Sequence, residues 1–168
     1  MRNNLIPSKL GIFIWRAKLK RLPVLIELEK RGIDLNSVRF PTCDDGIESI
    51  DHSLVLCKHA FEVWDRVCKW WNLDTVNIFS VDDLFCGKHP KIKSSWSLKL
   101  WQAIEWICGY YIWKNRNQKI FKKKWWSGSV ILNEIQIKSF EWISIRSRKK
   151  QWDWNQWLVN PSVYLDNG

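Results

Sequence analysis

Fourteen tryptophans in 168 residues constrain this chain before any motif does. A domain of that length has few places outside its core to hide so much ring surface. Several indoles must therefore be interior, and a large exposed remainder would mark a partner surface. With 46% hydrophobic and 14% aromatic residues, a packed core is expected rather than disorder. The formal net charge of +10 says nothing about fold, but it favours association with polyanions. Solvated helix faces are the plainer reading of the same charge.

Apolar residues recur at helical spacing along most of the chain. The pattern predicts an all-α, irregular helical fold with a small knuckle-like loop–helix segment near residues 40–57. Ser8 is placed to cap a first helix through Leu10, Phe13, Ile14 and Ala17, which Pro23 ends. Val24 to Arg31 reads as a second helix, closed by Gly32 at the C′ position. From about Ile50 a stripe of Ala60, Val63, Trp64, Val67 and Trp71 marks a further helix. Ser80-Val81-Asp82-Asp83 reads as a capping box for a short helix that Gly87 stops. The basic loop from His89-Pro90 to Ser94 is the natural subdomain boundary.

A long helix from Trp96 to Phe121 is apolar on two sides, which suits an element between packed layers. Ser127-Gly128 breaks the pattern, and Val130 to Arg148 gives a last helix with Ile131, Ile135, Trp142 and Ile145 inward. The reading divides the chain into residues 1–88, a C-terminal helical region 89–150, and a Trp-rich irregular tail 151–168. The first seven residues contain no apolar leader, and the five cysteines are odd in number and widely spread. Reduced thiols in an intracellular setting, nuclear or cytoplasmic and not secreted, are expected. No apolar run approaches the roughly 18 residues of a membrane span, so no membrane partner is expected.

The sharpest chemistry is Cys43, His52 and Cys57. Thiolate and imidazole ligands at this spacing suit tetrahedral zinc, with a turn supplying the early ligand and a following helix the later ones. The fourth ligand of a C-x-x-C knuckle falls at position 40, which is Phe40. His59, Asp44, Asp45 or a water are the remaining candidates, and His59 can contribute only if the helix breaks near Cys57. Otherwise the cysteines are small buried apolar residues and His52 is a hydrogen-bonded first-turn histidine.

The run Ile6-Pro7-Ser8-Lys9, Phe13-Ile14-Trp15, Arg21-Leu22-Pro23, Arg31-Gly32, then Cys43, Glu48, Asp51-His52, Cys57, Ala60 and Val63-Trp64 resembles a known family in order and spacing. That family is the zinc-binding domain of plant LINE-like (non-LTR) retrotransposon reverse transcriptases. Ile112-Trp113-Lys114-Asn115-Arg116-Asn117, leading to Phe121, is similar to the region that follows it. The resemblance implies a Cys-Cys-His-Cys zinc site, carried over to Cys43, His52 and Cys57 only. It implies a non-catalytic accessory region that binds RNA or single-stranded DNA in support of reverse transcription, beside the polymerase domain of a parent polyprotein. A decayed or repurposed fragment serving as a protein-interaction scaffold is the rival from another class.

Polymerase chemistry needs an aromatic-x-Asp-Asp turn. Asp44-Asp45 follows Thr42-Cys43 and Asp82-Asp83 follows Ser80-Val81, so neither pair has the aromatic. No Gly-rich phosphate loop or nucleophile elbow stands in the sequence, and neither enzyme activity nor a small-molecule substrate is expected. For nucleic acid, Arg116, Lys119 and Lys123 fall at i, i+3 and i+7, extended by Lys122, Lys124, Trp125 and Trp126. A second cluster, Arg146, Arg148, Lys149 and Lys150, precedes Trp152 and Trp154. Cations that neutralise phosphates beside indoles on which bases stack are the equipment of sequence-tolerant single-strand binding.

Overall fold

The computed structural model describes residues 2–75, 78–86, 89–147 and 151–165. Helix α1 spans Ser8–Lys18 and buries Leu10, Phe13, Ile14 and Ala17 along one stripe. Pro7, not Ser8, holds the N-cap position. Its extended backbone suits proline, and its missing N–H leaves no donor to satisfy. Helix α2, Leu25–Lys30, ends in the expected glycine turn. Gly32 has φ +80°, its N–H meets Glu29 O at 2.9 Å, and the Ile33 N–H meets Leu28 O at 3.2 Å.

Residues 38–48 fold back as a miniature hairpin around the isolated antiparallel bridge Arg39–Ile47. Two bonds close it, Phe40 N–H to Gly46 O at 3.0 Å and Glu48 N–H to Val38 O at 2.8 Å. The left-handed backbone at Asp44 and Gly46 turns the tip, a cost that glycine avoids. The helix expected from Ile50 is broken in two. A π turn, His52–Leu56, stops at Cys57, whose extended backbone (ψ 135°) restarts the chain as α3, Lys58–Trp70. The Trp64 indole N–H clamps the joint by donating to Leu54 O at 2.8 Å.

Of the expected capping box, the Ser80 side-chain cap forms. Ser80 Oγ accepts the Asp83 N–H at the start of α4, Val81–Leu84, while the Asp51 carboxylate accepts the Val81 N–H at 2.8 Å. Gly87 lies outside the described residues. Helix α5, Ser95–Lys122, is the central element and packs against α1, α3, the π turn and α6, Gly128–Arg146. Gly109 lets it pass close to Phe85, since a Cβ there would lie 2.6 Å from that buried ring. The sequence expectation for α6 holds at Ile131 and Ile135 but not at Ile145, which is 69% exposed near the helix end.

The tail read as irregular is largely ordered: α7 spans Trp154–Val159, and a 3-10 turn spans Pro161–Tyr164. The Asp153 side chain caps α7 by accepting the Gln156 N–H at 2.7 Å. Trp157 is fully buried and meets Trp70, Trp71 and Trp152 edge to face, with ring centroids 5.3–5.7 Å apart. The Trp70 indole N–H donates to Trp157 O at 2.8 Å, so polar bonds as well as ring contacts fix the tail on α3. The all-α expectation is met. Among the described residues no sheet forms, and none of the helices is long and apolar enough to cross a membrane.

One ion pair ties the front of the chain to α5. Glu48 and Arg116, 0% and 4% exposed, meet through two bonds, Nε to Oε1 at 2.6 Å and Nη2 to Oε2 at 2.7 Å. Glu48 also accepts the Leu25 N–H at 2.8 Å and the Ser53 hydroxyl at 3.3 Å. Its carboxylate therefore organises α2, the π turn and α5 together. Arg116→Ala is expected to cost about 3–5 kcal/mol, because an unpaired carboxylate stays buried. The paired change Glu48→Gln with Arg116→Met should recover much of that loss. Denaturant unfolding measures both, and a single-variant cost no larger than that of a surface substitution would contradict this account.

Candidate metal centre and basic surfaces

The hairpin and the broken helix bring the three sequence-spaced ligands together. Cys43 lies at the hairpin tip, His52 opens the π turn, and Cys57 sits at the N-cap of α3. Their ligand atoms lie within 4.8 Å of one another, and Cys43 Sγ is 3.4 Å from His52 Nε2. Tetrahedral zinc, with bonds of about 2.0–2.3 Å, spaces its ligand atoms about 3.3–3.8 Å apart. Small side-chain adjustments would therefore bring all three donors onto one ion.

The surroundings orient the donors as a metal requires. His52 Nδ1 lies 2.9 Å from Ile47 O, a bond in which the ring N–H donates to the carbonyl. The lone pair of Nε2 is thereby left facing Cys43, the arrangement by which a backbone carbonyl fixes the tautomer of a metal-bound histidine. Burial pushes the Cys57 thiol up to about 11, against the lowering effect of the His59 and Ala60 N–H groups at the start of α3. A bound cation reverses that balance by stabilising the thiolate directly. Gly46 is required by its left-handed backbone rather than by space, since a Cβ there would reach only ordinary contact, 3.8 Å, with the His52 ring.

The fourth position is closed by carbon. Phe40 is 1% exposed and its ring stands edge-on to His52, with centroids 5.1 Å apart. The helix does break at Cys57, but His59 turns to the Trp125 ring, 5.0 Å away, and does not join the ligand group. Asp44 faces Arg39 instead. The donors present fit zinc through three protein ligands.

The expected nucleic-acid residues separate into groups. Arg116 is removed from the basic edge, because its guanidinium is committed to Glu48 inside the core and lies over the Trp113 ring. Asn115, in the same motif, holds the backbone of Trp126 by two bonds, 3.1 and 2.9 Å. The motif's buried polar residues thus work for the fold. Lys119 is half-buried, whereas Lys122, Lys123, Lys124 and Trp125 are exposed where α5 ends in a left-handed cap at Lys123. Arg146 is exposed at the end of α6, and Arg148, Lys149 and Lys150 lie outside the described residues. Trp152 is half-buried against Trp157 and Tyr164, while Trp154 is 36% exposed and packs on Phe140.

Residues 1–64 match the family described as zinc-binding in reverse transcriptase. No curated protein and no solved structure gives a match. The match supports a reverse-transcriptase zinc-binding domain in this part of the chain. It contains the hairpin, all three ligands and Glu48, and it ends at Trp64, the residue that clamps the helix break.

Phe40→Cys is expected to raise zinc affinity at least about tenfold by adding a thiolate ligand. The same change should lower the stability of the metal-free protein by about 2–4 kcal/mol, since a buried ring is lost. Competition with a chromogenic chelator and unfolding in EDTA separate the two effects. Equal zinc affinity in both proteins would show that position 40 does not face the ion.

Proposed function

We propose that this chain is a non-catalytic accessory region of a plant LINE-like, non-LTR retrotransposon reverse transcriptase, which uses a three-ligand zinc centre and an adjoining basic ridge to hold RNA or single-stranded DNA. The observation that carries the reading is the junction of the two features. Trp125 follows the exposed run Lys122-Lys123-Lys124 and packs on His59, two residues beyond the ligand Cys57. The helix start that carries Cys57 therefore also carries the ring on which this indole rests. Lysines neutralise phosphates, and Trp125, 38% exposed, offers an indole on which a base can stack. Lys119 precedes this run by one turn near the end of α5 and is half-buried. Arg146 and Trp154 are a second candidate contact. The polymerase domain of a parent polyprotein is the natural protein partner.

Binding to a single-stranded oligonucleotide should be insensitive to sequence and steeply sensitive to salt. Four lysine contacts correspond to a slope of about −3 in log affinity against log salt, at roughly −0.7 per phosphate. Replacing Lys119, Lys122, Lys123 and Lys124 by glutamine should flatten that slope. Trp125→Ala should weaken binding by about 1–3 kcal/mol and leave the slope unchanged. Fluorescence anisotropy across a salt series reads both. Absence of binding at low salt would favour a protein-interaction scaffold.

A further inference from the structure

A cavity of about 710 Å³ opens among α3, α4, α5 and the segments that join them, within the range of small-molecule sites. Its walls are apolar and largely aromatic: Leu56, Phe61, Trp64, Phe79, Leu84 and Trp101. Phe61 and Phe79 are 56% and 71% exposed, large apolar rings that the fold leaves uncovered. Set into this lining is a carboxyl group. Glu105 is 4% exposed, and its Oε2 has no hydrogen-bond partner. The Trp101 indole N–H, one turn earlier, favours the charged carboxylate without closing a bond to it.

Burial pushes the Glu105 carboxyl well above its usual range, with Lys18 offsetting this only in part. Buried polar groups are nearly always bonded, so an orphaned carboxyl against a cavity calls for a partner that the protein does not supply. The surroundings specify its sign. Glu105, Asp45 and Asp83 outnumber Lys58 among the charged groups of the lining, although the whole chain carries +10. His89, also lining the cavity, is 6% exposed, and burial lowers its pKa, so it adds no competing cation near neutrality. Indole and phenyl faces beside a carboxylate attract a cation through their ring quadrupoles.

We propose that this cavity binds a small organic cation, a flat apolar body carrying a protonated amidine or amine that pairs with Glu105. The cation supplies the missing partner for the carboxylate while its body covers Trp64, Trp101 and Phe61. Three ligands of one shape test the assignment: benzamidine, neutral benzamide and anionic benzoate, titrated into the full chain. Chemical shifts of the Trp64 and Trp101 indole N–H groups report occupancy. Benzamidine should shift both resonances saturably, benzamide should bind more weakly, and benzoate should not bind. Glu105→Gln should weaken benzamidine by about tenfold or more, the usual worth of a charge-assisted bond, and leave benzamide nearly unchanged. The proposal is overturned if benzamidine leaves both indoles unmoved, if benzoate binds as well, or if Glu105→Gln retains wild-type affinity. Should Glu105→Gln fail to fold, the wild-type ligand series decides alone. The Trp125 ridge plays no part in this test, so its outcome is separate from that of the nucleic-acid reading.

Discussion

The rest of the molecule depends on the buried pair between Glu48 and Arg116, which joins residues 68 apart in sequence. Its net contribution to stability is small, because two charges leave water to make it. Its rupture is costly, because one of them would remain buried alone. Such a pair acts chiefly on specificity. Only one placement of the hairpin against α5 gives Glu48 its two guanidinium bonds together with the Leu25 N–H and the Ser53 hydroxyl. That placement also sets Cys43 beside His52 and Cys57. The geometry of the metal centre is thus fixed partly by a residue of the long helix, outside the segment that matches the zinc-binding family.

The tryptophans do comparable work at the other end. Trp71, Trp106 and Trp157 are among the largest fully buried side chains, and edge-to-face contacts link Trp157 to both members of the Trp70-Trp71 pair. Two of these rings also use their polar edge: Trp70 donates to Trp157 O, and Trp157 donates to Gln136 O at 3.2 Å. An indole buried with its N–H satisfied contributes both area and orientation. A short terminal segment thereby packs onto α3 and α6, although six residues of helix have little stability of their own.

Helical periodicity was legible because the spacing of apolar residues is a local signal. The stripe Ala60, Val63, Trp64, Val67 is buried, and Ser80 caps α4 through its side chain. The three metal donors were legible for the same reason, each lying close in sequence to the next. What failed was long-range. Arg116 shares a helical edge with Lys119 and Lys123 in one dimension, yet its partner lies on the distant hairpin. An arginine one helical turn after Ile112 and Trp113, with a glutamate standing in the matched segment, was the available hint. The tail read as irregular because its helix is too short to show a period, and its order comes from Trp157. Glu105 gave only the signal of an acid inside an apolar helix, and a cavity lined by residues scattered from Asp45 to Glu105 leaves no mark in sequence order.

With the Phe40 ring set against three candidate donors, a bound zinc would play a different part from that in a four-ligand knuckle. In a small knuckle with four metal ligands, the ion supplies most of the folding free energy, and the metal-free peptide is unfolded. This hairpin has other supports. Phe40 buries its whole ring, worth roughly 1.5–3 kcal/mol by transfer of apolar surface. Backbone bonds on both sides of the Arg39–Ile47 bridge close the loop, and Glu48 anchors its end in the core. Even the imidazole is pre-set, since Ile47 O holds His52 in the ligating tautomer. A site organised this far by protein contacts spends little of its metal-binding energy on ordering the chain. A bound zinc would then add to a hairpin that already stands, rather than supply the energy that folds it.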